Sequence, residues 1–219
     1  MVLHKEDLIM MDTHYSESDR FQLLRQVAEL YDPLVWPWAY DTWKSLNETY
    51  FNGDLKVGPI QWGLTEHGHS LGHYTPSVNK ITLHTSLINP HSNAWNYDGL
   101  LGERMAEDVI LHEMLHQSIY QTIGTTRDEK GQCHNYQPWC DEINRLNPLL
   151  GLSGRATIIK QRRIKEEGTK GNGRAKWMPS GDGTLTLKQL STWPHSLRSN
   201  GYYEISCKEM LERMTKCNS

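Results

Sequence analysis

Phenylalanine is almost missing from this 219-residue chain: there are two, beside eight tryptophans and ten tyrosines. An aromatic complement of that kind excludes a purely greasy interior and predicts many half-buried rings with a polar end to satisfy. Long apolar runs are also missing, so no segment of the sequence reads as a membrane span and no membrane partner is expected. The first twenty residues, MVLHKEDLIMMDTHYSESDR, interrupt every short apolar run with charge and are not read as a signal peptide. Only four cysteines occur, at 133, 140, 207 and 217. With no export signal they are expected to be reduced thiols, and the expected compartment is the cytoplasm, or the nucleoid or nucleus if the chain holds nucleic acid. No internal repeat is present. What remains is a hydrophobic share of 37% with 17 glycines, enough for a packed core in one domain with an appendage or in two small ones.

The formal net charge of −3 hides an uneven distribution. Residues 1–154 hold 10 Lys and Arg against 20 Asp and Glu, whereas residues 155–219 hold 13 against 6. The difference leaves a basic tail on an acidic body, a pattern that suits a polyanion such as DNA and equally describes a merely solvated tail. Arg155, Lys160, Arg162, Arg163, Lys165, Lys170, Arg174 and Lys176 gather in and around a Gly-containing stretch, with Trp177 and Trp193 available to stack on bases.

Local pattern predicts the elements. SESDRFQLLRQVAELYD reads as an amphipathic helix capped by Ser16, with Phe21, Leu24, Val27 or Ala28, and Tyr31 on one face. The segment with Pro33 and Pro37 interrupts it. A second helix follows, carrying Ala39, Trp43, Leu46 or Asn47, and Tyr50, and stops at Asn52-Gly53. KVGPIQWG, HSLGHYT and NKITLHT read as three short strands of one small sheet. A long helix is expected from about Leu101 to Thr122, then a loop, TTRDEKGQ, and a helix with Trp139, Ile143 and Leu146 together that closes near Pro148. Beyond Gly151 the texture becomes charged and Gly-rich, and it regains apolar residues only towards the end.

The chemistry concentrates in the long helix, at VILHEMLHQ. At about 100° per residue, His116 lies about 40° round from His112 and Glu113 about 100° round. Two imidazoles on one face, a turn apart, can share a divalent cation, with a carboxylate beside them. The surrounding Val109, Ile110, Leu111, Met114, Leu115 and Ile119 are expected to bury the helix, so the polar trio needs partners. A metzincin continuation would require Gly at 119 and His at 122, where this chain has Ile119 and Thr122. Glu142 is one candidate third ligand, as in gluzincins. His134, which follows the polar loop and is expected to open the next helix, is the better one. His67, His69 and His73 share one face of an expected strand, but surface histidines are the commoner outcome there. Cys133 and Cys140 read as structural thiols, and Tyr74, Tyr120 and Tyr136 are candidates to stabilise an oxyanion.

Taken in order, LNETYFNGDL (46–55), PIQWG (59–63), LGHYTPSVNKITLHTSLI (71–88), VILHEMLHQ (109–117) and GQCHNYQPWCDEINRLN (131–147) resemble the SprT-like zinc metallopeptidase domain, the family of the Spartan DNA–protein crosslink protease. The resemblance covers roughly residues 33–150. It implies an α+β, zincin-like fold, a small sheet packed with helices around the HExxH helix, and zinc held by His112, His116 and His134 with Glu113 as catalytic base. Two departures stand out. Asn135 follows the third histidine where the family usually has Gly, and Asn tolerates left-handed geometry. Cys207 and Cys217 form a lone, widely spaced pair, so no four-cysteine zinc ribbon is expected.

The expected organisation is an N-terminal helical segment (1–32), the SprT-like domain (33–152), and a basic linker with a small C-terminal module (153–219). The expected function is a zinc-dependent endopeptidase acting on protein or peptide substrates, including DNA-associated proteins. An ion-bound water activated by Glu113 would attack the peptide bond, with substrate pairing along the LGHYT strand. The alternative is a non-catalytic DNA- or protein-binding module with a structural zinc; Glu113 argues against it, because a structural clip has no use for a carboxylate that does not ligate. A metal-dependent hydrolase of non-peptide amides is a further enzymatic reading.

Overall fold

Ser16 caps the first helix as expected in the computed structural model, which describes residues 15–65, 70–88, 103–159 and 183–198. Its hydroxyl accepts the backbone N–H of Asp19 at 3.1 Å, and Glu17 and Asp19 complement the positive end of helix α1 (Glu17–Tyr31). Asp32 then turns the chain, its carboxylate accepting the N–H groups of Leu34 and Val35. Helix α2 (Val35–Tyr50) begins earlier than its prolines suggested. Pro37 falls in the first turn, where a backbone N–H has no intrahelical partner to lose. Asn52 and Gly53, both at positive φ, end it.

The described residues fall into two compact units, one reaching to Thr126 and including Arg198, the other spanning Arg127–Leu197. The first unit is α+β. Strands β1 (Ile60–Gly63), β2 (Gly72–Thr75) and β3 (Lys80–His84) form a sheet in the order β1-β3-β2. β1 runs parallel to β3, with Ile60 opposite Ile81, and β2 runs antiparallel, with Tyr74 opposite Ile81. The edge strands alternate buried and half-buried residues, whereas Ile81 to His84 of the central strand are buried on both faces. All three expected strands are therefore present. Helix α3 (Glu103–Ile123) packs on β2, β3 and α2, and nearly its whole girth is buried between Asp108 and Gln117. Gly124, at φ +76°, ends it.

The described part of the N-terminal helical segment 1–32 packs on the helix that follows it. Helix α1 packs on α2 through Phe21 against Tyr40 and through a two-pronged Arg25–Asp41 pair at 2.7 and 2.8 Å. Tyr31, expected on its buried face, is half exposed and stacks on Trp36 instead.

The second unit is built on helix α4 (Gln137–Leu149), whose Trp139, Cys140, Ile143 and Leu146 are buried. Its partners come from beyond the boundary expected at residue 152. Asn144 exchanges two hydrogen bonds with the backbone of Ala156, and Asn147 donates to the Gly154 carbonyl. Arg155 bridges Gly183 and Leu185 through the backbone. Helix α5 (Leu187–Ser191) starts with a Thr186–Gln189 capping box. Trp139 Nε1 donates to the Leu190 carbonyl, and Trp193 Nε1 donates to Asn147 Oδ1 at 2.8 Å. Trp193 is fully buried, which overturns its expected role as a base-stacking surface: it is core. The remaining basic cluster, Lys160 to Lys176, with Trp177, and the pair Cys207 and Cys217, lie outside the described residues.

Candidate metal centre

The apolar pattern of α3 buries its polar trio as expected: Glu113 is 5% exposed, His112 and His116 hardly more. The two imidazole rings stand 5.1 Å apart, centroid to centroid, inclined at 74°. The rotation of α3 that presents them is set by the next residue, Gln117, which is buried. Its side-chain oxygen accepts Trp43 Nε1 from α2, while its nitrogen donates to the Lys56 carbonyl and to Asn79 Oδ1 at 2.7 and 2.8 Å. Asn79 lies in the left-handed region at the turn between β2 and β3. Its Oδ1 also accepts the Tyr74 hydroxyl and Gln121 Nε2. Gly58 passes so close that a Cβ there would lie 1.6 Å from the Asn79 carbonyl oxygen. A connected network of this kind, buried at Trp43, Tyr74 and Gln117, favours one arrangement, since breaking a buried member orphans its partners.

Burial pushes the Glu113 carboxyl up to about 8, with the Tyr74 backbone N–H acting in the opposite direction. Glu113 forms no ion pair with any described residue. A cation beside it would favour the carboxylate.

His134 lies in a loop three residues before α4 rather than opening the helix. Asp128 folds that loop, accepting the backbone N–H groups of Lys130 and Gln132 at 2.9 and 2.7 Å, with Gly131 at positive φ closing the turn. Asn135, which could tolerate left-handed geometry, does not adopt it. It is buried and acts as a backbone mimic: Oδ1 accepts Ile159 N–H at 2.8 Å, and Nδ2 donates to the Ile159 carbonyl and to Gln132 Oε1. The His134 ring meets Trp139 edge-on at 4.8 Å, and Cys133 Sγ lies 3.4 Å from its Nδ1. Burial, then the nearby Arg127 cation, draw the His134 pKa down to about 4. The imidazole is therefore neutral at ordinary pH, the form that ligates metals.

Ligand atoms of His112, His116 and His134 lie within 4.8 Å of one another, and these three residues could hold a metal ion. Three imidazoles with a non-ligating carboxylate nearby also suit zinc chemically. Glu142, the other candidate ligand, is paired with Arg145 on α4 at 2.7 Å. Of the three further histidines, His73 is half-buried on β2, and His67 and His69 lie outside the described residues. Cys140 is fully buried and Cys133 half-buried, both as thiols. Among the tyrosines, Tyr74 is committed to Asn79, Tyr120 meets Tyr74 edge-on, and the Tyr136 hydroxyl is buried with no partner among the described residues.

The sequence did not single out Gln117, Asn79 or Asp128, and it marked Asn135 only as a departure in the turn after His134. An amide directly after the second histidine of a buried helix was a readable signal, because it must find hydrogen bonds. In the second unit a cleft of about 730 Å³, bordered by Cys133, His134, Leu187 and Lys188, opens beside the third histidine. Among the described residues no helix is long and apolar enough to cross a membrane. Comparison with protein-family models, with curated proteins and with solved structures finds no match to this chain.

Proposed function

We propose that this protein is a zinc-dependent endopeptidase of the SprT-like type, with His112, His116 and His134 as metal ligands and Glu113 as general base. The observation that carries the reading is Glu113: a buried carboxylate, without an ion pair among the described residues, next to two histidines that can hold a metal. Zinc, when bound, supplies a water of lowered pKa and polarises a scissile carbonyl. Glu113 accepts a proton from the attacking water and returns it to the leaving amine. His134, neutral at working pH, competes with no proton for its ligand role. Among the described residues β2 is an edge strand, so an extended substrate can add to its outer side by backbone pairing.

The sequence resemblance supports the same reading over residues 33–150. DNA-associated proteins as substrates, and DNA itself as a partner of the basic region, rest on charge distribution alone and belong to the same proposal.

The test is Glu113→Gln in the metal-loaded, full-length protein, assayed on casein with and without single-stranded DNA. We expect the metal to stay and the rate to fall by about 10²–10⁴, the usual cost of losing a general base. Equal activity in variant and wild type would end this mechanism.

A further inference from the structure

Gly72 opens β2 directly against the side of α3 that carries Glu113. A Cβ at this position would lie 2.7 Å from Glu113 Oε1, 2.7 Å from Val109 Cγ1 and 2.9 Å from Glu113 Cγ. Side chains do not approach that closely, so any residue but glycine must displace a neighbour. Gly72 is not among the positive-φ glycines, so the backbone does not require it. The requirement is space.

Neither neighbour can yield freely. Val109 is 3% exposed and Glu113 is 5% exposed, and they lie one turn apart on the same helix face. Two residues along β2, the backbone N–H of Tyr74 interacts with the same carboxylate. The strand therefore meets Glu113 at two points, by close approach at Gly72 and by an N–H at Tyr74.

We propose that Gly72 is a positioning residue for Glu113: the missing side chain lets the β2 backbone set the carboxylate's place beside His112 and His116, and any larger residue pushes it off that place. This rests on the reading of Glu113 as general base. It adds that the strand offered to substrate is also the strand that gauges the base, so one backbone sets the distance from base to scissile bond.

The experiment compares wild type, Gly72→Ala, Val109→Ala and the Gly72→Ala/Val109→Ala double variant, all full-length and zinc-loaded. Gly72→Ala should keep its metal and lower kcat by about 10²-fold with KM within about twofold, as expected for a base misplaced by an ångström or less. Val109→Ala removes the aliphatic half of the clash and leaves the Glu113 half. The double variant should therefore regain thermal stability without regaining kcat, and it carries the measurement if Gly72→Ala alone folds poorly. Recovery of kcat together with Tm would reduce Gly72 to a packing residue and overturn the proposal.

A crystal structure of the folded variant gives a readout independent of activity. The Glu113 carboxylate should be displaced while His112 and His116 superimpose on wild type; an unmoved carboxylate overturns the proposal. Lack of cleavage by metal-loaded wild type would sink the peptidase reading alone, leaving the crystallographic test of Gly72 standing.

Discussion

His112 and His116 stand on a helix, His134 in a loop, and the two regions hold their rings by different physics. On α3 the spacing of the pair follows from helix geometry, and burial on nearly all sides with the Gln117 network fixes the rotation. In the loop no periodic structure positions the ring. Side chains that imitate backbone do so instead: Asp128 folds the turn, and Asn135 clips the next residue to Ile159. A helical imidazole is over-determined by many small packing terms. A loop imidazole depends on a few hydrogen bonds, each of which can be removed singly.

On the proposed zinc site, the largest effect should come from His134 itself. His134→Ala is expected to lower zinc affinity by more than about 100-fold, above the loss typical of outer-shell changes. Glu142→Ala should leave it unchanged, because Glu142 is engaged with Arg145. Metal titration against a competing chelator reads both, and the reverse pattern would show that the helix pair recruits its third ligand elsewhere.

Next comes the core that supports the loop. Trp193 is fully buried and bonded to Asn147, so Trp193→Ala should destabilise the second unit by about 3–5 kcal/mol. A chain ending at residue 154 loses Leu185, Leu190 and Trp193 from the same core and should fail to fold that unit; it also removes Arg198, the partner of buried Asp108 on α3, so the first unit should melt at a lower temperature as well. Full retention of the His134 site in that truncation would mean the loop is self-supporting.

Asn135→Ala is a smaller lesion aimed at the loop alone. It leaves the Ile159 N–H and carbonyl without their partner, a cost of about 1–3 kcal/mol. Zinc affinity should fall by about 10-fold as the ring loses its support. Thermal melting with metal titration checks both, and unchanged affinity would remove Asn135 from the account of the site.

The smallest effect is one of pH. Burial draws the His195 pKa down to about 4, and its Nδ1 has no partner among the described residues. Between about 6.5 and 4 the unfolded chain therefore binds more protons here than the folded one. The stability of the neutral ring is fully present above that window and is lost as pH falls through it. His195→Gln should flatten the decline of Tm between pH 7 and 4, and a parallel decline in both proteins would assign it to other groups.

The sequence by itself determined the elements and the helical part of the site. Ser16 as a cap, the three strands, the span of α3 and the burial of its HExxH residues all follow from local rules: capping chemistry, periods of two and 3.6, and apolar flanks. It also ranked His134 above Glu142. Only the tertiary structure decided what lies far apart in sequence. Segments 154–159 and 183–197 complete the core around α4 because Asn144, Asn147 and Trp139 reach across to their backbone atoms, and no local pattern encodes such pairings. Trp193 looked available because it lies near the basic stretch, yet it is core because α4 offers Asn147 to its indole. Gly72 carries no sequence signal beyond being a glycine. Its role follows from how closely a strand and a helix approach, a distance set by the packing of the whole first unit.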